Sequence, residues 1–326
     1  MKIFIPGGAG LVGLNLIYIL SKNHPNWEIL VVDKKQSSIV IGKKLFKNVN
    51  FLCEDLTLKK GNKWHSLIKD FDICIMLQAE IGNKDTTQFE RNNVLSTEVI
   101  LKEIKKTTIN KIIHISSSVL NSVYNDFYTE TKSLQEKIII KKWNKKLVIL
   151  RPTLMFGFFD RKHLGWIQKF MKRFPVFPIP GNGNFIRQPL FVLDFCKIIE
   201  SCIINLSIEG TFDITGLQKV PYKKLMKIIR NNIKNKPLFV YIPIPIFGIL
   251  LEIWGLGPWS VAMWELFVLQ SPDQWSDNDL ILKRISEDLA ADANTERVHF
   301  INTAAPFRSY FALYCWRFND TRQVPR

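Results

Sequence analysis

The stretch Lys2-Ile3-Phe4-Ile5-Pro6-Gly7-Gly8-Ala9-Gly10-Leu11-Val12-Gly13 sets the interpretation of the whole chain. Ile3–Ile5 is a short apolar strand that runs straight into a glycine cluster. Leu11, Leu14, Leu16, Ile17 and Leu20 then recur on one face of a helix. Strand, glycine turn and helix in this order give Gly7, Gly10 and Gly13 separate physical tasks: a tight turn, close backbone approach to a pyrophosphate, and hard packing of helix on strand. The helix N-terminus adds unpaired N–H groups and the positive end of a dipole. Asp33 lies 20 residues beyond Gly13, at the end of the next apolar run, Ile29–Val32. A carboxylate there accepts hydrogen bonds from a ribose diol and repels a 2′-phosphate, which favours NAD over NADP. Lys34 and Lys35 pull the other way.

Further along, apolar runs keep alternating with helical patterns, as in successive βαβ units. Val49–Cys53, Ile73–Leu77, Lys111–Ser116 and Leu147–Leu150 read as further strands, with helices over about 87–106 and 126–141. Such near-continuous apolar strands are buried on both faces, as in a parallel sheet. After Arg151-Pro152 the rhythm changes. Residues 156–189 are rich in Phe, Pro and Gly and read as loops and short helices of a capping lobe. Helical patterns at Asp194–Ile204 and Pro221–Ile233 then flank a strand near Thr211–Thr215.

Composition narrows the function classes. With 326 residues, 47% hydrophobic and 23% charged, the chain is neither disordered nor fibrous. Its five cysteines contain no C-x-x-C pair, so neither a zinc ribbon nor a disulfide scaffold fits, and no histidine spacing suits a metal. The N-terminus lacks the pattern of a signal peptide, so a reducing cytoplasm is expected. The net charge of +16 is spread through lysine-rich helix faces and loops with no basic stripe, which argues against nucleic acid. The charge is uneven: residues 258–326 hold seven Lys+Arg against nine Asp+Glu, a net of −2, and seven of the nine alanines. This tail reads as an appended segment or an out-of-frame read. Residues 238–257 and 259–270 are strongly apolar but broken by Pro243, Pro245 and Glu252. Neither reaches a clean span of about 20 residues, so a buried or partner-facing helix is expected, and peripheral membrane contact stays open.

A second motif carries chemistry. Tyr128 and Lys132 stand one helical turn apart, on one face. A neighbouring ammonium and a nicotinium charge stabilise a phenolate, which makes the phenol a general base near neutrality. Ser116-Ser117-Ser118, at the end of the preceding strand, offers a hydroxyl to hold a substrate oxygen against it.

Together these residues resemble the short-chain dehydrogenase/reductase superfamily, in its extended, NAD-dependent epimerase/dehydratase branch. The resemblance covers about residues 1–256. It rests on the glycine loop, Asp33, Glu54-Asp55-Leu56, Asn93–Thr97, Ser116–Ser118, Tyr128/Lys132 with Glu136, Arg151–Gly157, and Gly181–Pro189 before Asp194. It implies an α/β fold, a doubly wound parallel sheet of Rossmann type with a smaller C-terminal substrate lobe. Residues 1–150 would form the NAD-binding domain and 151–257 a substrate lobe interleaved with the core, leaving 258–326 as a distinct tail. Gly7, Gly10 and Gly13 would cradle the pyrophosphate, with Leu11 and Val12 supplying N–H groups. Asp33 would bind the adenosine ribose, Asp55 and Leu56 the adenine, and Gln78 and Ala79 the nicotinamide side. Ser118, Tyr128 and Lys132 would be catalytic, Lys132 also holding the nicotinamide ribose. Arg187 would meet the substrate diphosphate, where its bidentate geometry suits the role.

The expected function is therefore an NAD-dependent sugar-nucleotide epimerase or 4-ketoreductase. Neither Val119 nor Leu120 is acidic, whereas the family's 4,6-dehydratases generally carry an acid directly after the catalytic hydroxyl, which argues against dehydration. Phe156 stands where a tyrosine is usual. Only ten positions separate Ser118 from Tyr128, a short form similar to the atypical branch that includes the respiratory complex I accessory subunit. A non-catalytic nucleotide-binding subunit is thus one alternative, and a carbonyl reductase on a non-sugar substrate another. The resemblance also implies a homodimer formed through a helix pair.

Overall fold

The computed structural model describes residues 1–81, 85–121, 127–243, 275–276, 279–305, 308, 311–312 and 314–315. The chain divides into two compact units, one of residues 1–170 and 188–219, the other of residues 171–187 and 220–326.

The first unit is built on seven parallel strands: β1 (Lys2–Pro6), β2 (Glu28–Asp33), β3 (Asn50–Cys53), β4 (Ile73–Met76), β5 (Lys111–Ile115), β6 (Lys146–Pro152) and β11 (Gly210–Ile214). They lie in the order β11-β6-β5-β4-β1-β2-β3. The order reverses between β1 and β4, where Ile3 pairs with Ile73 and Phe4 with Cys74. In such sheets a crevice opens at the carboxyl ends of the strands flanking this reversal, and ligands bind there.

Alternation along each strand sends side chains to two cores. Ile3, Ile5, Val31, Ile113, Ile115 and Val148 pack on one face with Leu14, Ile17 and Leu20 of α1 (Leu11–Asn23) and Phe195 and Ile199 of α8 (Val192–Ile204). Phe4, Leu30, Val32, Cys74, Met76 and Ile112 pack on the other with Trp64, Ile100, Ile104 and Ile139. Each such side chain contributes about 1.5–3 kcal/mol. The parallel sheet expected from the apolar runs is what forms.

Helices α2 (Gln36–Leu45) and α3 (Trp64–Leu67) lie between the strands. The single helix expected over 87–106 is three segments: α4 (Thr86–Phe89), a π-helical stretch Glu90–Leu95, and α5 (Ser96–Ile104). After β5 come a 3₁₀ turn, Ser118–Asn121, and α6 (Phe127–Lys142). β7 (Met155–Phe156) pairs in parallel with β10 (Leu190–Phe191).

The region expected as loops and short helices also holds α7 (Leu164–Arg173) and a strand, β8 (Val176–Pro180). In the second unit β8 pairs in parallel with β13 (Leu238–Ile242), so the helix expected from residue 238 begins instead as a strand. Residues 244–274, most of that apolar stretch, lie outside the described residues. β9 (Ile186–Arg187) pairs antiparallel with β12 (Val220–Pro221), which leads into α9 (Tyr222–Asn231). The tail holds α10 (Leu280–Asp292) and α11 (Arg297–Thr303), bridged by a hydrogen bond from Arg297 to Ser286. No helix among the described residues is long and apolar enough to cross a membrane.

Candidate functional site

The glycine loop leaves β1 at the point of reversal. Gly7 has φ +75°, and its N–H donates to the carbonyl of Val32 at 2.7 Å. A Cβ on Gly7 would collide with the backbone of Gln78, at the end of β4, and one on Gly13 with the backbone of Gly8. These two glycines are demanded by the fold itself. Gly10 differs. A Cβ there would meet nothing closer than the Gly7 carbonyl at 3.9 Å, so its side toward solvent is open. Gly10 is the N-cap of α1, with no side-chain cap and no acid in the first turn. Its N–H groups therefore await an acceptor from outside. An open surface beside an uncapped helix start fits a pyrophosphate, and Leu11 and Val12 sit half-buried there.

Asp33 ends β2 beside this loop. Its carboxylate accepts from the N–H of Ala9 at 3.2 Å and of Lys35 at 3.0 Å. Burial pushes its pKa up, and the two N–H bonds with the charges of Lys34 and Lys35 oppose that push. The Lys34 ammonium is turned to Asn92 Oδ1 at 2.9 Å and Glu80 at 3.7 Å. Asp55 is engaged by Thr57 and by Arg91 at 2.7 Å. Burial pushes its pKa up, but those bonds outweigh the push and hold it below the usual range. Leu56 is buried in the core. Gln78 is buried and Ala79 exposed at the end of β4.

On the other side of the reversal, Ser118 begins the 3₁₀ turn after β5 and Tyr128 lies in the first turn of α6, both half-buried. Lys132 is fully buried. Its ammonium donates to the carbonyl of Ile115 at 3.0 Å and to Gln135 Oε1 at 2.6 Å. Burial lowers its pKa to about 7, against the pull of the nearby Glu136 carboxylate. Complete burial, with the same ammonium, holds His114 well below its ordinary value. Glu136 is locked to Arg151 of β6 by bonds of 3.0 and 2.6 Å.

Sequence reasoning passed over Gln135 and, naming Asn93–Thr97 only as a motif, gave Asn93 and Thr97 no part in holding Lys132. Gln135 and Thr97 are both fully buried and joined at 2.7 Å. Asn93, in the π-helical stretch, accepts from the Glu80 N–H at 2.7 Å and donates to Thr131 at 3.0 Å, tying the loop after β4 to α6. Single π turns recur at functional sites. The one signal available was spacing: Lys132, Gln135, Glu136 and Ile139 share a helix face that is buried yet mostly polar.

Arg187 belongs to the second unit. Its guanidinium lies 4.8 Å over the Phe185 ring, which stacks on Tyr222 at 4.6 Å. Burial lowers the arginine's pKa, and the same cause raises that of Tyr222 to about 12.

Comparison with known proteins places this geometry. Over 201 residues the chain is 29% identical to a dTDP-D-glucose 4,6-dehydratase of Dictyostelium discoideum, covering 58% of this chain and 44% of the relative. It is also 29% identical over 100 residues to NADH dehydrogenase [ubiquinone] 1 alpha subcomplex subunit 9, mitochondrial, of Arabidopsis thaliana, 30% of this chain and 25% of that protein. The chain thus spans less than half the length of either relative. The structure of UDP-glucuronic acid 4-epimerase from Bacillus cereus in complex with NAD superposes with a TM-score of 0.66 at 22% identity, covering 74% of this chain and 86% of that one. That likeness shows the fold. The model of the NAD dependent epimerase/dehydratase family matches residues 3–207, well over half of the chain, and the protein belongs to that family.

Proposed function

We propose that the protein is an NAD-dependent nucleotide-sugar epimerase or 4-ketoreductase that works through Ser118, Tyr128 and Lys132. The observation that carries this reading is the bond from Lys132 Nζ to Ile115 O, which fastens α6 to the end of β5, beside the β4–β1 reversal where Gly7 and Gln78 meet.

The first turn of α1, with the N–H groups of Leu11 and Val12, would hold the pyrophosphate. Asp33 would accept from the adenosine ribose, Asp55 and Leu56 would border the adenine, and Gln78 and Ala79 the nicotinamide side. NAD, when bound, would supply the redox chemistry, as acceptor and, in an epimerase, donor of a sugar-carbon hydride. The Tyr128 phenolate takes the proton of the hydroxyl on that carbon, so the C–O bond gains double-bond character as hydride departs. The Ser118 hydroxyl holds the same oxygen in line. The Lys132 ammonium would favour the phenolate electrostatically and would also hold the nicotinamide ribose. Arg187 would bind the substrate diphosphate.

A second reading, a nucleotide-binding subunit without turnover, is favoured by the engagement of Lys132 inside the protein and by the 100-residue likeness to the complex I subunit. Purified protein should be assayed for bound NAD and for turnover on UDP-, GDP- and dTDP-sugars. Conversion of one sugar without net NADH supports the epimerase. Net NADH consumption supports a reductase, and cofactor without turnover supports the second reading.

A further inference from the structure

Lys132, Gln135, Thr97 and Gln78 form one directed hydrogen-bond chain. A lysine ammonium can only donate, so the Gln135 amide oxygen must face it. The Gln135 NH₂ therefore faces Thr97 Oγ1, at 2.7 Å. The single hydroxyl proton of Thr97 goes to the carbonyl of Asn93, also at 2.7 Å. The remaining lone pairs of that oxygen take Gln135 and, from the other side, Gln78 Nε2 at 3.2 Å. Every direction in the chain is thus determined, and it ends on Gln78, the residue whose backbone Gly7 must clear. Gln78 Oε1 is left buried without a partner.

We propose that Gln135 is a positioning residue: anchored through Thr97 to the floor of the dinucleotide cradle, it holds the Lys132 ammonium at the end of β5 and sets that ammonium's charge. The proposal rests on the reading that Lys132 serves an NAD site. Among the described residues the ionisable groups near the ammonium are His114 on β5 and, on α6, Glu136 and Tyr128 one turn before it, Glu136 being paired with Arg151 on β6. None of them is altered by changing Gln135. Losing the amide acceptor disfavours the charged form, and a carboxylate in its place favours it.

The test follows the ionisation of Lys132 directly. Its ¹³Cε resonance, assigned by its loss in Lys132→Met, is titrated in wild type, Gln135→Leu and Gln135→Glu, and NAD affinity is measured for each. The midpoint is expected about one pH unit lower in Gln135→Leu and about one unit higher in Gln135→Glu. The near-isosteric Gln135→Glu carries the test alone if Gln135→Leu does not fold. A midpoint unchanged in folded Gln135→Glu overturns the proposal, whatever NAD does. Shifted midpoints in a wild-type protein that binds no NAD leave the coupling standing and overturn the function on which it rests.

Discussion

Gly7 and Gln78 are in such close apposition that the α-carbon of Gly7 has no room for a side chain, and Gly7 also carries a positive φ of 75°. The contact joins β1 to β4 at the strand reversal, so it shapes the cradle and the sheet at once. Gly7→Ala should lower stability by about 1–3 kcal/mol from backbone strain, with the clash adding to it. Gly61 provides the control, because it has φ +88° with nothing near a Cβ. Denaturant melts should show Gly61→Ala costing clearly less, and NAD affinity should fall only in Gly7→Ala.

Asp33 ties the end of β2 to the glycine loop through the Ala9 N–H. Asp33→Asn should weaken NAD binding by about tenfold, or about 1.4 kcal/mol, with a smaller loss for NADP. The pH dependence follows from burial, which raises this carboxyl's pKa. As pH falls the carboxylate is neutralised earlier than an ordinary aspartate, so wild-type affinity should begin to drop above pH 3.8. Isothermal titration across the acid range should show that drop in the wild type and its absence in the Asp33→Asn variant.

Arg151 and Glu136 form a two-bond pair in which the carboxylate side chain is only 6% exposed. Removing the arginine strands a buried charge. Arg151→Met should cost about 3 kcal/mol, and adding Glu136→Leu should recover much of it. A double-mutant cycle in urea reads both values.

Lys132 makes stability depend on pH. Its folded pKa of about 7 lies below the ordinary 10.5, so between those values the unfolded chain binds a proton that the native protein does not. Stability contributed at this site therefore rises with pH from about 7 to 10.5 and is flat below pH 7. The slope is at most about 1.4 kcal/mol per pH unit. Lys132→Met should be the more stable protein at neutral pH and should show a flatter profile in melts from about pH 6 to 10.

The sheet was legible because its strands are apolar on both faces, and the glycine loop because strand, turn and helix are contiguous in sequence. What escaped depends on contacts distant along the chain. β8, with Pro178 and Pro180, looks like loop until β13 pairs with it from beyond residue 237. The π turn at Glu90–Leu95 has no periodicity of its own. Tyr128 and Lys132 were recognisable as a pair, yet the burial of the lysine against Ile115 O and Gln135 was not. A buried helix face made of Thr131, Lys132, Gln135 and Glu136 carries no apolar stripe.

The catalytic reading stands or falls on Tyr128→Phe, assayed for NAD affinity and for nucleotide-sugar turnover beside the wild type. NAD affinity should be unchanged and kcat should fall by at least about 100-fold. Turnover persisting at the wild-type rate in Tyr128→Phe would refute the role of the phenol as base.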